Sequence, residues 1–250
     1  MNCHTLVRAT AMLIAFGWTG TPVVVAGELH EAVKANDVAR VQQLISKGAN
    51  VNEPDLFGTP LDIAVVRGSE QVAELLISAG ADIEATTEPD MGSDHPLHLA
   101  ASKSTLAPIA KRLVQHGARV DSLNGVGETP LIVAAKSGNV EVTAILLSAG
   151  ADARRQDGRY HMSALHYAAA EGQIQVAEAL IAAGVDINTK DGQGDTPMHH
   201  ATADGRLDMV QFLAKRGADL NVRNIKGLSP YQNTFSSPIR TLLKQFGAKD

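Results

Sequence analysis

Nine histidines, one cysteine and 27 acidic residues are the groups in this 250-residue chain that could bind a metal or move a proton. His161 with His166, and His199 with His200, are close enough in sequence to be combined into a metal site. Neither pair has the His-Glu-x-x-His spacing that sets two imidazoles and a general base on one helix face. Cys3 is the single cysteine, which excludes an internal disulfide framework and any cysteine-based zinc or iron–sulfur site. A calcium loop needs acids at tight alternate spacing, a turn glycine and a terminal glutamate. Asp90-Met91-Gly92-Ser93-Asp94 supplies two acids only. No glycine-rich phosphate loop, no Gly-x-Ser-x-Gly elbow and no haem-attachment motif occurs.

Two charged segments stand out instead. Between Arg67 and Lys103 there are seven acids and no base, and Glu84, Glu88, Asp90 and Asp94 fall in one connection. This segment reads as a solvated loop or as a contact for a partner. Further on, Arg154, Arg155 and Arg159 lie beside Tyr160 and His161. This segment reads as a solvated loop, or, because arginine next to an aromatic ring is the composition of interface hot spots, as a partner contact, and it could also bind an anionic group. Residues 27–125 carry a net charge of −6 and residues 126–250 a net charge of zero.

What positions these groups is read from the whole chain. It is 44% hydrophobic, 20% charged and carries a net charge of −5. That is globular, and it lacks the basic surplus of a nucleic-acid binder. In residues 1–26 Arg8 is the only charged residue, and an uncharged run follows it to Ala26. Val24-Val25-Ala26 puts small residues at the positions required for cleavage before Gly27, so the segment reads as a secretory signal peptide. Gly17, Thr19, Gly20, Thr21 and Pro22 weaken it as a membrane span, although an uncleaved anchor stays open as the alternative.

The rest of the chain repeats. A Gly-Ala-Asp-like triplet begins at Gly48, Gly80, Gly117, Gly150, Gly184, Gly217 and Gly247, at spacings of 30 to 37 residues. A second signature follows most triplets: Thr59-Pro60-Leu61, Pro96-Leu97-His98, Thr129-Pro130-Leu131, Ala164-Leu165-His166, Thr196-Pro197-Met198 and Ser229-Pro230-Tyr231. Proline in a first helical turn loses no hydrogen bond, and the preceding Thr59, Thr129, Thr196 and Ser229 are suited to cap a helix start. Gly68, Gly138, Gly172 and Gly205, with Asn36 at the same offset, are placed to end that helix and reverse the chain. Segments such as Val72–Ile77 and Val176–Ile181 then read as second helices. Thr105 and Phe235 occupy the turn-glycine position in their units, and Pro108 and Pro238 open the next helix, which predicts a different helix–helix turn there.

Period and motifs together resemble the ankyrin repeat family, over essentially residues 28–250. The resemblance implies an all-α solenoid of stacked helix–turn–helix units with hairpin-like fingers, behind the signal peptide of residues 1–26. The expected ankyrin domain is 27–250. It comprises an N-terminal cap (28–55), full repeats at about 56–90, 91–125, 126–159, 160–192 and 193–225, and a C-terminal cap (226–250). In that family the histidine of the second signature is structural, so His98, His166 and His199 are expected to hold turns together. Neither charged finger is expected to be required for packing, because the core motifs begin after them.

The function expected on this resemblance is non-enzymatic binding of a protein through finger tips and concave face, with no cofactor, no metal, no nucleic acid and no membrane once the signal is cleaved. Arg154, Arg155, Arg159, Tyr160, Glu84, Glu88, Asp90 and Asp94 are the candidate contacts. The expected state is a monomer in the bacterial periplasm or secreted, serving another periplasmic protein as accessory or acting as an immunity protein. The alternative is a small metal-dependent or hydrolytic enzyme built on the concave-face histidines.

Overall fold

The computed structural model describes residues 27–86 and 93–249. The expected signal peptide, residues 1–26, and Glu88 and Asp90 lie outside the described residues. Each repeat begins with a helix whose start is chemically marked. In α3 (Pro60–Arg67) the Thr59 hydroxyl accepts from the Asp62 N–H, and Asp62 accepts from the Thr59 N–H at 2.8 Å. Proline likewise opens α5 (Pro96–Ala101), α7 (Pro130–Ser137) and α11 (Pro197–Ala203), while α9 (Ala164–Glu171) begins with alanine. Gly68, Gly138 and Gly172 end their helices at φ of 72°, 68° and 76°, values that L side chains reach only with strain, and Asn36 does the same at 52° after α1 (Glu28–Lys34).

The chain reverses there into a second helix: α2 (Val38–Ser46), α4 (Glu70–Ser78), α6 (Ala107–Gln115), α8 (Val140–Ser148), α10 (Ile174–Ala182), α12 (Leu207–Lys215) and α13 (Ser237–Gln245). First helices stack on first helices, α1 through α11, and second helices on second helices, α2 through α13. One helix pair cannot bury its apolar face alone, and stacking makes a continuous core. Leu61, Leu76, Leu131, Leu146, Leu165 and Leu180 are fully enclosed in it. The helix ends differ where Thr105 stands in place of the turn glycine: α5 has six residues, a 3-10 turn at Ser104–Leu106 comes next, and Pro108 sits in the first turn of α6.

Ser229 departs from expectation. Its N–H reaches the Gln232 side chain at 3.1 Å and its carbonyl accepts from the Asn233 N–H, but only a single turn forms. Eight residues separate Ser229 from the start of α13, against eleven between Thr129 and α8, too few for a two-turn helix and a reversal.

The fingers contain no strand among the described residues, only isolated bridges at Asp55–Gly58 and Gln156–Ser163. They are joined by a ladder of side-chain-to-backbone bonds, each starting two residues after a triplet's third position. Asn52 accepts from the Asp82 N–H at 2.7 Å, Glu84 from the Arg119 N–H at 2.8 Å, and Asp121 from the Asp152 N–H at 3.1 Å. Arg154 donates to the Gly184 carbonyl at 3.3 Å, Asn188 accepts from the Asp219 N–H at 2.8 Å, and Asn221 from the Lys249 N–H at 2.9 Å. Although the core motifs begin after the charged fingers, Glu84 and Arg154 thus help to join neighbouring repeats. Backbone groups at the finger bases need partners, and these side chains supply them.

Candidate functional site

Three of the histidines that could have done chemistry, His98, His166 and His199, are engaged inside the fold. His166 is fully buried, its Nδ1 accepting from the Ser163 N–H at 3.1 Å. That fixes the proton on Nε2, which donates to the carbonyls of Thr189 and Asp195 at 3.1 and 3.2 Å. His98 repeats the arrangement with the His95 N–H and the Glu128 carbonyl, and His199 with the Thr196 N–H and the Leu228 carbonyl. Burial lowers the pKa of all three, that of His166 to about 4, and the ring of His200 beside His166 adds to this. Both nitrogens of each ring are engaged, so no lone pair is offered to a metal or a substrate.

Among the described residues one group has the composition of a cation site: Asp191, Asp195 and His200 bring ligand atoms within 4.8 Å of one another. Its members already have partners. Asp191 accepts from the N–H groups of Gln193 and Asp195 and from His200 Nε2 at 2.8 Å, and Asp195 accepts from the Asn224 amide at 2.7 Å. The same turn recurs where Asn124 accepts from the N–H groups of Val126 and Glu128, and where Asn224 accepts from those of Lys226 and Leu228. This is how the fingers are built.

The candidate contact residues divide on inspection. Glu84 holds the backbone and guanidinium of Arg119, both at 2.8 Å, and Asp94 accepts from the Asn124 amide at 2.8 Å. With Arg154 they stitch neighbouring repeats. Arg155, Arg159 and Tyr160 remain exposed on the fourth finger, and no acidic side chain among the described residues pairs with either arginine.

That finger is unlike the others. From the turn-forming residue to the helix cap is five residues in Asn124–Thr129, Asp191–Thr196 and Asn224–Ser229, but six in Asp157–Ser163. The extra residue is absorbed at His161, a non-glycine at φ 55°. Asp157 holds it: one carboxylate oxygen accepts from the N–H groups of Arg159, Tyr160 and His161 at 2.9, 2.6 and 3.0 Å, and the other from the Tyr167 hydroxyl at 2.7 Å. Burial alone would raise the Asp157 pKa, but these bonds outweigh it and hold the carboxyl below its ordinary range. Burial, then the bond to Asp157, raises that of the Tyr167 hydroxyl. The Gly192 N–H donates to the Tyr160 carbonyl at 3.1 Å, pinning the finger from the far side.

Between this finger and the third lies a cleft of about 270 Å³. Val126, Lys136, Arg159, Tyr160 and Tyr167 line it, with Glu128 and Asp157 at its back. Arg159 lies over the Tyr160 ring at 5.0 Å, and Lys136 over the Tyr167 ring at 5.2 Å. The fingers meet through backbone: a Cβ on Gly127 would stand 2.8 Å from the Gly158 nitrogen.

A family model described as ankyrin repeats in three copies matches residues 28–87, 88–157 and 156–224. The chain is 34% identical over 150 residues to the ankyrin repeat protein nuc-2 of Neurospora crassa, covering 59% of this chain and 13% of the relative. It is 34% identical over 119 residues to the human ankyrin repeat and SOCS box protein 6, covering 44% and 28%. It thus spans less than a third of the length of either. Among solved structures, the ankyrin repeat domain of Bcl-3 superposes with a TM-score of 0.75 at 26% identity, over 87% of this chain and 97% of that one. The human ASB11 ankyrin repeat domain has the same fold, with a TM-score of 0.77 at 24% identity over 89% and 98%. Among the described residues no helix is long and apolar enough to cross a membrane.

Proposed function

Because the chain belongs to the ankyrin repeat family, whose domains generally mediate protein–protein interaction, we propose that it is a scaffold that binds another protein and performs no chemistry of its own. The observation that carries this reading is the fourth finger. A stacked, hydrogen-bonded array holds Arg155, Arg159 and Tyr160 exposed on a strained turn, and a rigid surface loses little ordering entropy on binding. Strain of this kind persists only where the surroundings impose it, and it clusters at binding sites. The alternative, an enzyme built on the concave histidines, loses its groups to the fold, since His98, His166 and His199 each tie a helix start to the following finger.

The test is capture of interacting proteins by the parent and by the variant Arg155→Glu with Arg159→Glu. Loss of a stoichiometric partner with the melting temperature unchanged supports the reading. Equal loss in the control Lys111→Glu with Lys215→Glu, whose side chains are exposed on α6 and α12, would refute the placement.

We further propose that the protein is exported and works as a monomer in the bacterial periplasm or outside the cell, as an accessory or immunity protein. The support is the pattern of residues 1–26, with one basic residue, an uncharged run and Val24-Val25-Ala26 before Gly27. Intact mass of exported protein should correspond to a chain beginning at Gly27, and retention of Cys3 would overturn cleavage.

A further inference from the structure

The cleft between the third and fourth fingers has a chemistry more specific than protein binding in general, and the occupant inferred for it rests on the protein-binding reading. Its accessible wall is cationic and aromatic. Arg159 is exposed, its guanidinium carbon 5.0 Å from the centre of the Tyr160 ring, and it pairs with no acid among the described residues. Lys136 contributes a second cation, its side chain 41% exposed. The two acids of the cleft are withdrawn behind this wall. The Glu128 side chain is 11% exposed and its carboxylate is held by Lys136 at 2.7 Å. Asp157 is 2% exposed and its two oxygens accept four hydrogen bonds from the protein itself. A visitor therefore meets in Arg159 the positive charge that no acid among the described residues pairs, since Lys136 is engaged by Glu128. Beside it stand apolar surfaces: Val126, 47% exposed, and the face of Tyr160, 52% exposed.

The size narrows the class. At about 270 Å³ the cleft falls below the about 300–1,000 Å³ usual for small-molecule sites and suits one or two side chains. An arginine guanidinium presents a planar fork that a carboxylate fits with two parallel hydrogen bonds. We propose that the cleft receives an acidic residue of the partner protein together with an adjacent apolar one, the carboxylate seated on the Arg159 fork and the apolar side chain between Val126 and Tyr160. Arg155, exposed on the same finger, extends the positive field outward and steers an acidic segment to the site. The inserted residue at His161 is what lifts Tyr160 into place, and Asp157 is the residue that positions the finger.

A random linear peptide library panned on the full chain tests this. The enriched sequences should contain Asp or Glu next to an aliphatic or aromatic residue. The synthesised consensus peptide should perturb the Val126 methyl and Tyr160 ring resonances. Arg159→Glu should weaken the peptide by about tenfold or more, and a peptide with the acid replaced by lysine should regain part of that loss on the variant. A merely structural role for Arg159 would not produce that exchange of preference. Enrichment of neutral or basic peptides at these fingers would overturn the acidic assignment and leave the scaffold reading standing, whereas no enrichment and no protein capture would overturn both. Equal displacement by a short oligonucleotide of the same charge, with no need for the apolar residue, would show general polyanion attraction and also overturn it.

Discussion

Acid should loosen the array through His166. The ring is buried, with Nδ1 facing two Ser163 donors and Nε2–H facing the carbonyls of Thr189 and Asp195. The His200 ring lies 5.5 Å away, and beyond it the Asp191 carboxylate. A proton on Nδ1 would point at the Ser163 N–H, so the charged ring must give up its cap. Burial, then the field of His200, brings the pKa from 6.5 to about 4, with Asp191 opposing. The folded state thus binds fewer protons than the unfolded one below the unfolded value. Stability is complete above pH about 6.5 and falls as the pH drops toward about 4. At about 1.4 kcal/mol per pH unit, the full loss is about 3 kcal/mol, and about 2 kcal/mol of it appears between pH about 7.5 and about 5.

His166→Gln isolates this contribution. Glutamine can accept from the cap N–H, as Gln232 does from Ser229, but it does not titrate. The variant should be less stable than the parent at neutral pH by about 1–2 kcal/mol, the cost of the lost bonds to the next finger. Its further loss on going to pH about 5 should be smaller than the parent's by about 2 kcal/mol. Urea unfolding at both pH values measures the double difference, in which His98 and His199 cancel. A double difference below about 0.5 kcal/mol would refute the claim that the site enforces a neutral ring.

Three other perturbations have defined outcomes. Leu180→Ala, at a fully buried position in α10, should cost about 2–5 kcal/mol in urea unfolding, and a loss under about 1 kcal/mol would mean the stack is not continuous there. Gly127→Ala puts a Cβ against the Gly158 backbone at a φ of 80°, so it should cost about 1–3 kcal/mol and shift the Val126 and Tyr160 NMR signals, whereas unchanged signals would mean the fingers are not in backbone contact. Glu84→Ala removes both bonds to Arg119 and should lower stability by about 1–2 kcal/mol, with Glu84→Gln, which keeps one acceptor, falling between; equal stability in all three would show that this rung contributes nothing.

The helices were legible because their ends are chemically marked at fixed spacing. Pro60, Pro96, Pro130 and Pro197 open helices, and Gly68, Gly138 and Gly172 close them. The rungs of the ladder were not legible, since each joins residues about 30 apart and involves one backbone partner. An acid such as Glu84 looks free in a sequence until the N–H it satisfies is seen. Their offset of two after the triplet's third residue was nevertheless a usable signal. The first repeat is faint in the sequence for a related reason. Leu29-His30 stands 18 residues before Gly48, as Leu165-His166 does before Gly184, although no threonine or proline precedes it. His30 is buried like its counterparts, but neither ring nitrogen has a partner among the described residues. The cleft could not be read at all, because Lys136, Arg159 and Tyr167 come from three elements. The one-residue insertion before Ser163 was the visible trace of it.

The finger ladder bears on how such a chain can change length. Along most of its rungs a side chain of one repeat grips a main-chain group of the next, the N–H of Asp82, Arg119, Asp152, Asp219 or Lys249 or the carbonyl of Gly184. Every residue type except proline carries the main-chain N–H, and all carry the carbonyl, so a rung asks little of its neighbour's sequence. A unit copied or excised in phase with the triplet glycines would find a compatible seam on both sides. Duplication within the gene can therefore lengthen the row of fingers one at a time, leaving each new finger free to differ in length.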